Sequence, residues 1–152
     1  MPNRLAWVGV GAPRMEVAHV LATRPQFVAC GTQLGATYEL RYRLEQGVLR
    51  LNLVGERSLE LHLDGADFFD LGSSPLFNSL PVIRDRLLEP GPPRDYLMRW
   101  VDLPSLEVSL SEQQYEPLGN GLVRFRAGEF VSDITFDGDG FVIGYPGIGA
   151  RA

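Results

Sequence analysis

The polar side chains with the clearest functional spacing lie in one stretch, residues 70–86. Asp70, Asn78 and Arg84 stand there among apolar residues and prolines. Asp70 and Asn78 carry short polar groups that bond nearby backbone, which would fix a helix against its surroundings. Arg84 or Arg86 would pair with Asp70 or Asp85, or bind a phosphate or sugar hydroxyl. The stretch therefore predicts either an anchored helix or a ligand contact.

Other residue types that carry chemistry are few. His19 and His62 are the only histidines, and they lack the spacing of metal ligands. Cys30 is the only cysteine and has no partner for an intramolecular disulfide. The sequence Asp-Gly-Asp-Gly at 137–140 resembles the start of a calcium loop, but no closing Glu follows, and a hairpin turn explains it better. We predict no catalytic, metal or cofactor site.

An enzyme acting on a small hydrophobic substrate is the alternative to a binding protein. Catalytic triads are recognised by geometry, and the chain has no Gly-x-Ser-x-Gly nucleophile elbow. Removal of Met1 would leave Pro2 as a terminal amine base. Enzymes of that type use βαβ units, so an ordinary chain terminus is the better interpretation. We expect a protein that is not an enzyme.

Composition limits the classes of partner. The length of 152 residues with 45% hydrophobic content fits a single domain, 1–152. A net charge of -5 disfavours nucleic acid. All 14 basic residues are Arg, which excludes Schiff-base lysines and a P-loop lysine. No signal-peptide pattern or long apolar run occurs, so we expect a soluble, cytoplasmic protein with no transmembrane segment.

Alternation of apolar and polar residues predicts a chain made mainly of β-strands. The clearest example is 36–44, where Tyr38, Leu40 and Tyr42 alternate with polar side chains. We predict strands at 15–21, 27–31, 36–44, 49–53, 58–63, 67–71, 96–101, 106–110, 122–127, 129–137 and 141–145. The strand at 67–71 is expected to close the N-terminal meander.

One helix interrupts the strands. Ser74 is the predicted N-cap and Pro75 the first helical residue, while Pro81 predicts a kink or a restart before 82–88. A single apolar helix among many strands indicates a sheet that curls around it and leaves a groove beside it. Aromatic and aliphatic side chains on the concave face would then form either a packed interior or a lipid cavity.

Two motifs resemble a bacterial glycolipid-binding family. The stretch 70–81 is similar to its signature D-x-x-x-x-P-x-x-N-x-L-P, and 101–106 to its segment V-x-x-P-x-L. Trp7, Glu16, the Tyr-rich strand, Gln114-Tyr115 and residues 139–147 are similar to family positions in the same order. The chain has Glu-Gln-Gly-Val-Leu at 45–49, where many members carry D-x-x-W, so that tryptophan has no counterpart here.

The resemblance implies a spiral β-roll, in which a many-stranded antiparallel sheet wraps around a single α-helix. It also implies a tight homodimer and binding of a lipid or glycolipid, by likeness to carriers that hold acyl chains in an open barrel. A dimeric interaction protein without a ligand is a third possibility. The candidate ligand-binding or motif residues are Asp70, Pro75, Asn78, Leu80, Pro81, Arg84, Trp100, Tyr115 and Tyr145.

Overall fold

A computed structural model describes residues 4–21, 26–43 and 46–152. In these residues it has one helix and thirteen strands. The helix is α1 (Pro75–Asp85), and the strands are β1 (Arg4–Gly9), β2 (Arg14–Leu21), β3 (Gln26–Gln33), β4 (Ala36–Arg43), β5 (Val48–Leu53), β6 (Arg57–His62), β7 (Phe68–Leu71), β8 (Arg94–Val101), β9 (Val108–Gly119), β10 (Leu122–Ala127), β11 (Phe130–Phe136), β12 (Val142–Tyr145) and β13 (Gly149–Arg151).

All thirteen strands belong to one sheet, in the order β6-β5-β4-β3-β2-β1-β13-β12-β11-β10-β9-β8-β7. Every neighbouring pair is antiparallel except β7 and β8, which are parallel. The parallel pair results from α1, which connects the two strands as a crossover. The sheet is open, with β6 and β7 at its edges.

The two faces of the sheet differ because side chains alternate along each strand. In β4, Tyr38, Leu40 and Tyr42 are buried while Glu39 and Arg41 are exposed. We call the buried face the inner face, since its residues form one core cluster with those of α1. The predicted fold class, a mainly β roll around a single α-helix, is therefore confirmed.

Helix α1 fills the inside of the roll. Every residue from Pro75 to Val82 is buried, as expected for a helix that the sheet surrounds. Pro81 lies within the helix, so the predicted restart is wrong. Proline has no backbone N–H and removes one helical hydrogen bond, and packing on all sides stabilises this turn. The helix ends at Asp85, because Arg86 adopts a left-handed conformation with φ of 54°.

Several predicted boundaries change. Strand β7 does not close the N-terminal meander but lies at the opposite edge of the sheet, beside β8. Strand β9 starts two residues later than predicted and continues to Gly119, and β1 and β13 had not been predicted. Residues 1–3, 22–25 and 44–45 lie outside the described ranges. These contain Pro2, Pro25 of the predicted β2–β3 connection, and Leu44 and Glu45 of the predicted β4–β5 hairpin.

The helix of the described chain is too short to cross a membrane. An α-helix rises about 1.5 Å per residue, so its 11 residues extend roughly half of the hydrocarbon thickness of a bilayer.

Candidate ligand-binding cleft

A cleft of about 440 Å³ opens at one end of the roll, beside the first turns of α1. We call it the mouth cleft. It is formed mainly by inner-face residues of β7 to β12, which curve around the helix and are not covered by it at this end. The lining residues are Asp70, Gly72, Ser73, Asn78, Trp100, Ser109, Leu110, Ser111, Gln113, Phe125, Ala127, Phe130, Tyr145 and Ile148.

The floor of the mouth cleft contains a buried carboxylate. Asp70 on β7 is only 8% exposed, and its Oδ2 accepts a hydrogen bond of 2.7 Å from Nε2 of Gln113 on β9. Burial raises the pKa of Asp70 to about 6, against the smaller lowering effect of that hydrogen bond. A carboxylate in this position carries a desolvation cost, which a purely structural role does not require.

The amide of Gln113 is fixed in orientation. Besides Asp70, its Nε2 reaches Oγ of Ser111 at 3.3 Å, so the amide nitrogen faces two acceptors. A flipped amide would point its oxygen at the Asp70 carboxylate. The Oε1 atom of Gln113 is buried and has no hydrogen-bond partner among the described residues.

Asn78 connects the helix to two tyrosines of the sheet. Its Nδ2 donates a hydrogen bond of 3.2 Å to the hydroxyl of Tyr115, and it also interacts with the hydroxyl of Tyr145. Burial raises the pKa of both tyrosines, and the charge of Asp70 raises them further. Both phenols are therefore neutral at physiological pH, and each retains a proton to donate.

An aromatic wall rises beside this polar floor. Phe125 packs edge-on against Tyr115 at 5.2 Å and Tyr145 at 6.3 Å between ring centroids, and Phe130 lies 6.4 Å from Tyr145. The rim is apolar and open to solvent, because Phe130 is 45% and Leu110 is 66% exposed. Polar floor, aromatic wall and apolar rim together match the two ends of an amphipathic ligand.

A second buried carboxylate holds the start of α1. Glu16 on β2 accepts hydrogen bonds from the Tyr38 hydroxyl at 2.5 Å, the Ser74 hydroxyl at 2.7 and 2.8 Å, and the Leu76 backbone N–H at 3.2 Å. Ser74 is the N-cap residue, but its side chain makes no capping bond to the helix. Glu16 supplies the cap from a distant strand, and burial raises its pKa.

A larger depression, of about 800 Å³, lies on the outer face of β2 to β6. The charged residues that line it are exposed, among them Glu39 and Arg41, and Arg50 is paired with Glu60 at 3.0 Å. His19 and Cys30 also lie there. Solvated charges on an open sheet face are ordinary surface, so the buried polar groups single out the mouth cleft as the candidate site.

Residues 52–151 match the family described as "Putative glycolipid-binding". The chain belongs to this family. The matched region contains every residue that lines the mouth cleft, from Asp70 to Ile148. Trp7 and Glu16 lie outside it.

The fold of this glycolipid-binding family member is also found in a solved structure. A DUF1089 family protein from Pseudomonas aeruginosa superposes with a TM-score of 0.62 at 20% sequence identity. The alignment covers 100% of this chain and 94% of that chain. At this identity the likeness shows the shared fold alone. The search of curated proteins found no match.

The predicted site residues of this family member separate into two groups. Asp70, Asn78, Trp100 and Tyr145 line the mouth cleft, and Tyr115 lies directly behind it, bonded to Asn78. The structure corrects two expected partners: Asp70 bonds Gln113 and Asn78 bonds tyrosine hydroxyls, whereas nearby backbone was the expected partner of both.

The remaining candidates lie away from the cleft. Pro75, Leu80 and Pro81 are buried in α1. Arg84 makes two hydrogen bonds of 3.0 Å to Asp85 and stacks 4.1 Å over the ring of Phe68. Of the predicted alternatives for Arg84, pairing with Asp85 is the one observed.

Gln113 was not among the predicted site residues. It lies two positions before Tyr115, and residues two apart on a strand share a face. Extending the predicted strand from 106–110 through Tyr115 would have placed Ser111 and Gln113 on the inner face as well. The inner-face residues Ser109, Ser111 and Gln113 are polar, so this part of the strand lacks the apolar alternation of a core strand. They are polar because they border a cleft instead of the apolar core.

We expect Asn78→Ala to lower the free energy of unfolding by about 1 to 3 kcal/mol, since the Tyr115 hydroxyl loses its buried donor. Urea denaturation followed by circular dichroism measures the change. Asn52→Ala on the outer face, where Asn52 accepts a bond from Ser58, is the control and should change stability by under about 0.5 kcal/mol. Unchanged stability of Asn78→Ala together with lost ligand binding would show that Asn78 serves the ligand and not the helix.

Proposed function

We propose that this protein binds an amphipathic lipid or glycolipid in the mouth cleft and does not transform it. The head group lies against Asp70, Asn78 and Gln113, and the apolar part leaves over Leu110 and Phe130. The observation that carries the proposal is the combination, in one open cleft, of a buried carboxylate and amides with an aromatic wall and an exposed apolar rim. Membership in a family named for glycolipid binding supports it.

The packing of the interior favours a binding mode in which the apolar part of the ligand stays outside the roll. Leu76, Phe77 and Leu80 of α1 are at most 1% exposed, and Phe77 stacks 6.1 Å from Tyr42 on the far half of the sheet. The cavity beside Glu16 measures about 10 Å³, which is room for at most one water molecule. An acyl chain inside the roll would have to displace the helix, whereas the rim is open to it.

One observation favours the enzyme as a second candidate. A buried carboxyl group with a pKa of about 6 in a cleft has the protonation behaviour of a general acid or base. Asp70 is, however, the one carboxylate among the described lining residues, and glycoside hydrolysis ordinarily uses two. His19, His62 and Cys30 are exposed on the outer face. These facts support binding over catalysis.

Homodimeric assembly and a cytoplasmic location stay predictions. The expectation of a homodimer follows from the family resemblance. The experiment that tests ligand binding also reports the oligomeric state.

Native mass spectrometry of the gently purified protein tests the proposal, before and after incubation with a total lipid extract and with monoglucosyl diacylglycerol. We expect a bound lipid-sized mass that Trp100→Leu loses, because Trp100 lines the mouth cleft. Arg41→Ala, on the outer depression, is the matched control and should retain the lipid. The proposal is wrong if the wild type stays bare in every lipid, or if Trp100→Leu carries as much lipid as the wild type.

A further inference from the structure

The following inference rests on the proposed function and concerns the charge of the head group. We propose that the mouth cleft selects an amphiphile whose head group is a protonated amine, and that an N–H of this ammonium donates a hydrogen bond to Oδ1 of Asp70. The inference depends on the missing counter-ion of Asp70, on an oxygen that is open to the cleft and on the aromatic rings beside it.

Asp70 has no cationic partner among the described residues. None of the ion pairs that these residues form includes it, and its one hydrogen-bond donor is the neutral amide of Gln113. The arginine of the family signature, Arg84, is paired with Asp85 instead. A carboxylate that is 8% exposed and lacks a counter-ion carries a cost of desolvation. A cation bound in the cleft would offset this cost by supplying the opposite charge.

One oxygen of Asp70 remains available to a ligand. Oδ2 accepts the hydrogen bond from Gln113, whereas Oδ1 accepts none from the described residues. The fully buried side-chain atoms without a partner in the described chain are Nε of Arg14, Oε1 of Gln113 and Oγ of Ser132. Oδ1 of Asp70 is not one of them, and Asp70 lines the mouth cleft, so this oxygen is accessible from the cleft. An ammonium N–H bonded to it would form a charge-assisted hydrogen bond, which is stronger than a neutral one.

The donors of the cleft floor are already used inside the protein. The Nε2 of Gln113 points at Asp70 and Ser111, and the Nδ2 of Asn78 donates to the hydroxyl of Tyr115. Among the described lining residues there is no arginine. A phosphate or sulfate would therefore meet a negative charge without a cation beside it, which disfavours anionic head groups. A neutral hydroxyl can bond Oδ1 of Asp70 but leaves the carboxylate without a counter-ion.

Aromatic rings lie beside the position that the nitrogen would take. Trp100 on β8 is paired directly with Asp70 on β7, and both side chains line the cleft. Phe125, Phe130 and Tyr145 also line it, with ring centroids 6.0 to 6.4 Å apart. The face of an aromatic ring attracts a cation within about 6 Å, most strongly where water is excluded. A carboxylate beside aromatic rings is thus suited to an ammonium group.

A series of head groups on one alkyl chain tests the inference. Calorimetric titrations in 0.15 M salt at pH 7.5, above the pKa of about 6 of Asp70, compare octylammonium, octanol, octyl β-glucoside and octyl phosphate below their micelle concentrations. We expect octylammonium to bind at least tenfold more tightly than octanol and octyl glucoside, and octyl phosphate to bind most weakly.

Two variants locate the charge that the ammonium recognises. In Asp70→Asn, which removes the charge and keeps the side-chain volume, the affinity for octylammonium should fall at least tenfold, while octanol binding stays within about twofold. Glu39→Gln removes a charge from the exposed outer face and is the matched control. It should leave octylammonium binding unchanged, since a general attraction of cations to an acidic protein is screened by salt.

The outcomes separate this inference from the proposed function. If any of the other three head groups binds as tightly as octylammonium, or if Asp70→Asn binds octylammonium like the wild type, the inference is wrong and lipid binding stands. If none of the four binds, the proposed function fails and the inference fails with it. Ethylammonium has too short a chain to cover the rim and should bind at least tenfold more weakly than octylammonium. Equal binding of these two amines, lost in Asp70→Asn, would support the recognition of the amine and contradict an amphipathic ligand.

Discussion

Replacing Glu16 by alanine is expected to lower the free energy of unfolding by about 3 to 5 kcal/mol. The carboxylate of Glu16 is the acceptor for three buried donors, which are the hydroxyls of Tyr38 and Ser74 and the backbone N–H of Leu76. Alanine leaves all three donors without this acceptor inside the roll. The first turn of α1 contains no acidic residue of its own, so the helix also loses the negative charge at its N-terminus.

Urea denaturation at pH 7 measures this loss. Glu39→Ala removes an exposed glutamate from the outer face of β4 and serves as the control, with an expected change under about 0.5 kcal/mol. Glu16→Gln keeps the side-chain volume and one acceptor oxygen, so its loss of stability should lie between those of Glu39→Ala and Glu16→Ala. A loss of less than about 1 kcal/mol for Glu16→Ala would contradict the role of this carboxylate as the cap of α1.

Replacing Asp70 by asparagine is expected to have the second large effect. The stability of the variant relative to the wild type should increase as the pH rises from acid to neutral. The pKa of Asp70 is raised from its ordinary 3.8 to about 6 in the folded protein. The folded state then holds a proton that the unfolded state releases, so stability falls as pH rises between these two values. The difference between these two pKa values corresponds to about 3 kcal/mol. Asparagine does not titrate and escapes this cost, and its Oδ1 still accepts from Gln113.

Urea denaturation of both proteins from pH 4 to pH 8 tests this prediction. The stability of Asp70→Asn minus that of the wild type should increase by roughly 2 to 3 kcal/mol over the series. Taking the difference cancels the contribution of Glu16, whose raised pKa acts in the same direction in both proteins. A difference that stays flat with pH would mean that Asp70 is not a costly buried carboxylate.

A carboxylate that destabilises the fold and lines a cleft has the signature of a functional group. Natural proteins keep such groups where binding or catalysis requires them, at the expense of stability. The two buried carboxylates among the described residues differ in this respect. Glu16 has three donors and secures α1, whereas Asp70 has one donor, Gln113, and borders solvent. The first supports the scaffold, and the second is the candidate for ligand recognition.

Much of the fold was predictable from alternation alone. The strand predicted at 122–127 coincides with β10, and those near β2, β4 and β11 differ from the structure by at most one residue at each described end. Long-range pairing was not predictable, because nothing in the local sequence of Phe68–Leu71 indicates that this strand pairs with β8, which follows it after the crossover helix α1. Strand β13 has three residues and is held by β1 and β12, so its sequence carries no periodic signal.

The candidate site was only partly predictable. The family signature led to Asp70 and Asn78, and the structure brings Trp100, Tyr115 and Tyr145 to the same place. Spacing along the chain does not reveal which residues of a signature face a cleft. Sequence reasoning therefore groups Pro75, Leu80 and Pro81 with the cleft residues, although they are buried residues of α1. Arg84 pairs with Asp85 and does not line the mouth cleft. This pairing is one of the alternatives that the sequence predicts.

Indole ¹⁵N–¹H NMR spectra test most directly whether the mouth cleft is the ligand site. The chain has two tryptophans: Trp100 lines the cleft, and Trp7 is 1% exposed, lies outside the cleft and has its Nε1 bonded to the carbonyl of Val142. On titration with octyl β-glucoside below its micelle concentration, the proposed function predicts a saturable shift of the Trp100 signal and an unmoved Trp7 signal, with the shift much reduced in Asp70→Asn. Saturable binding that leaves the Trp100 signal in place would contradict it.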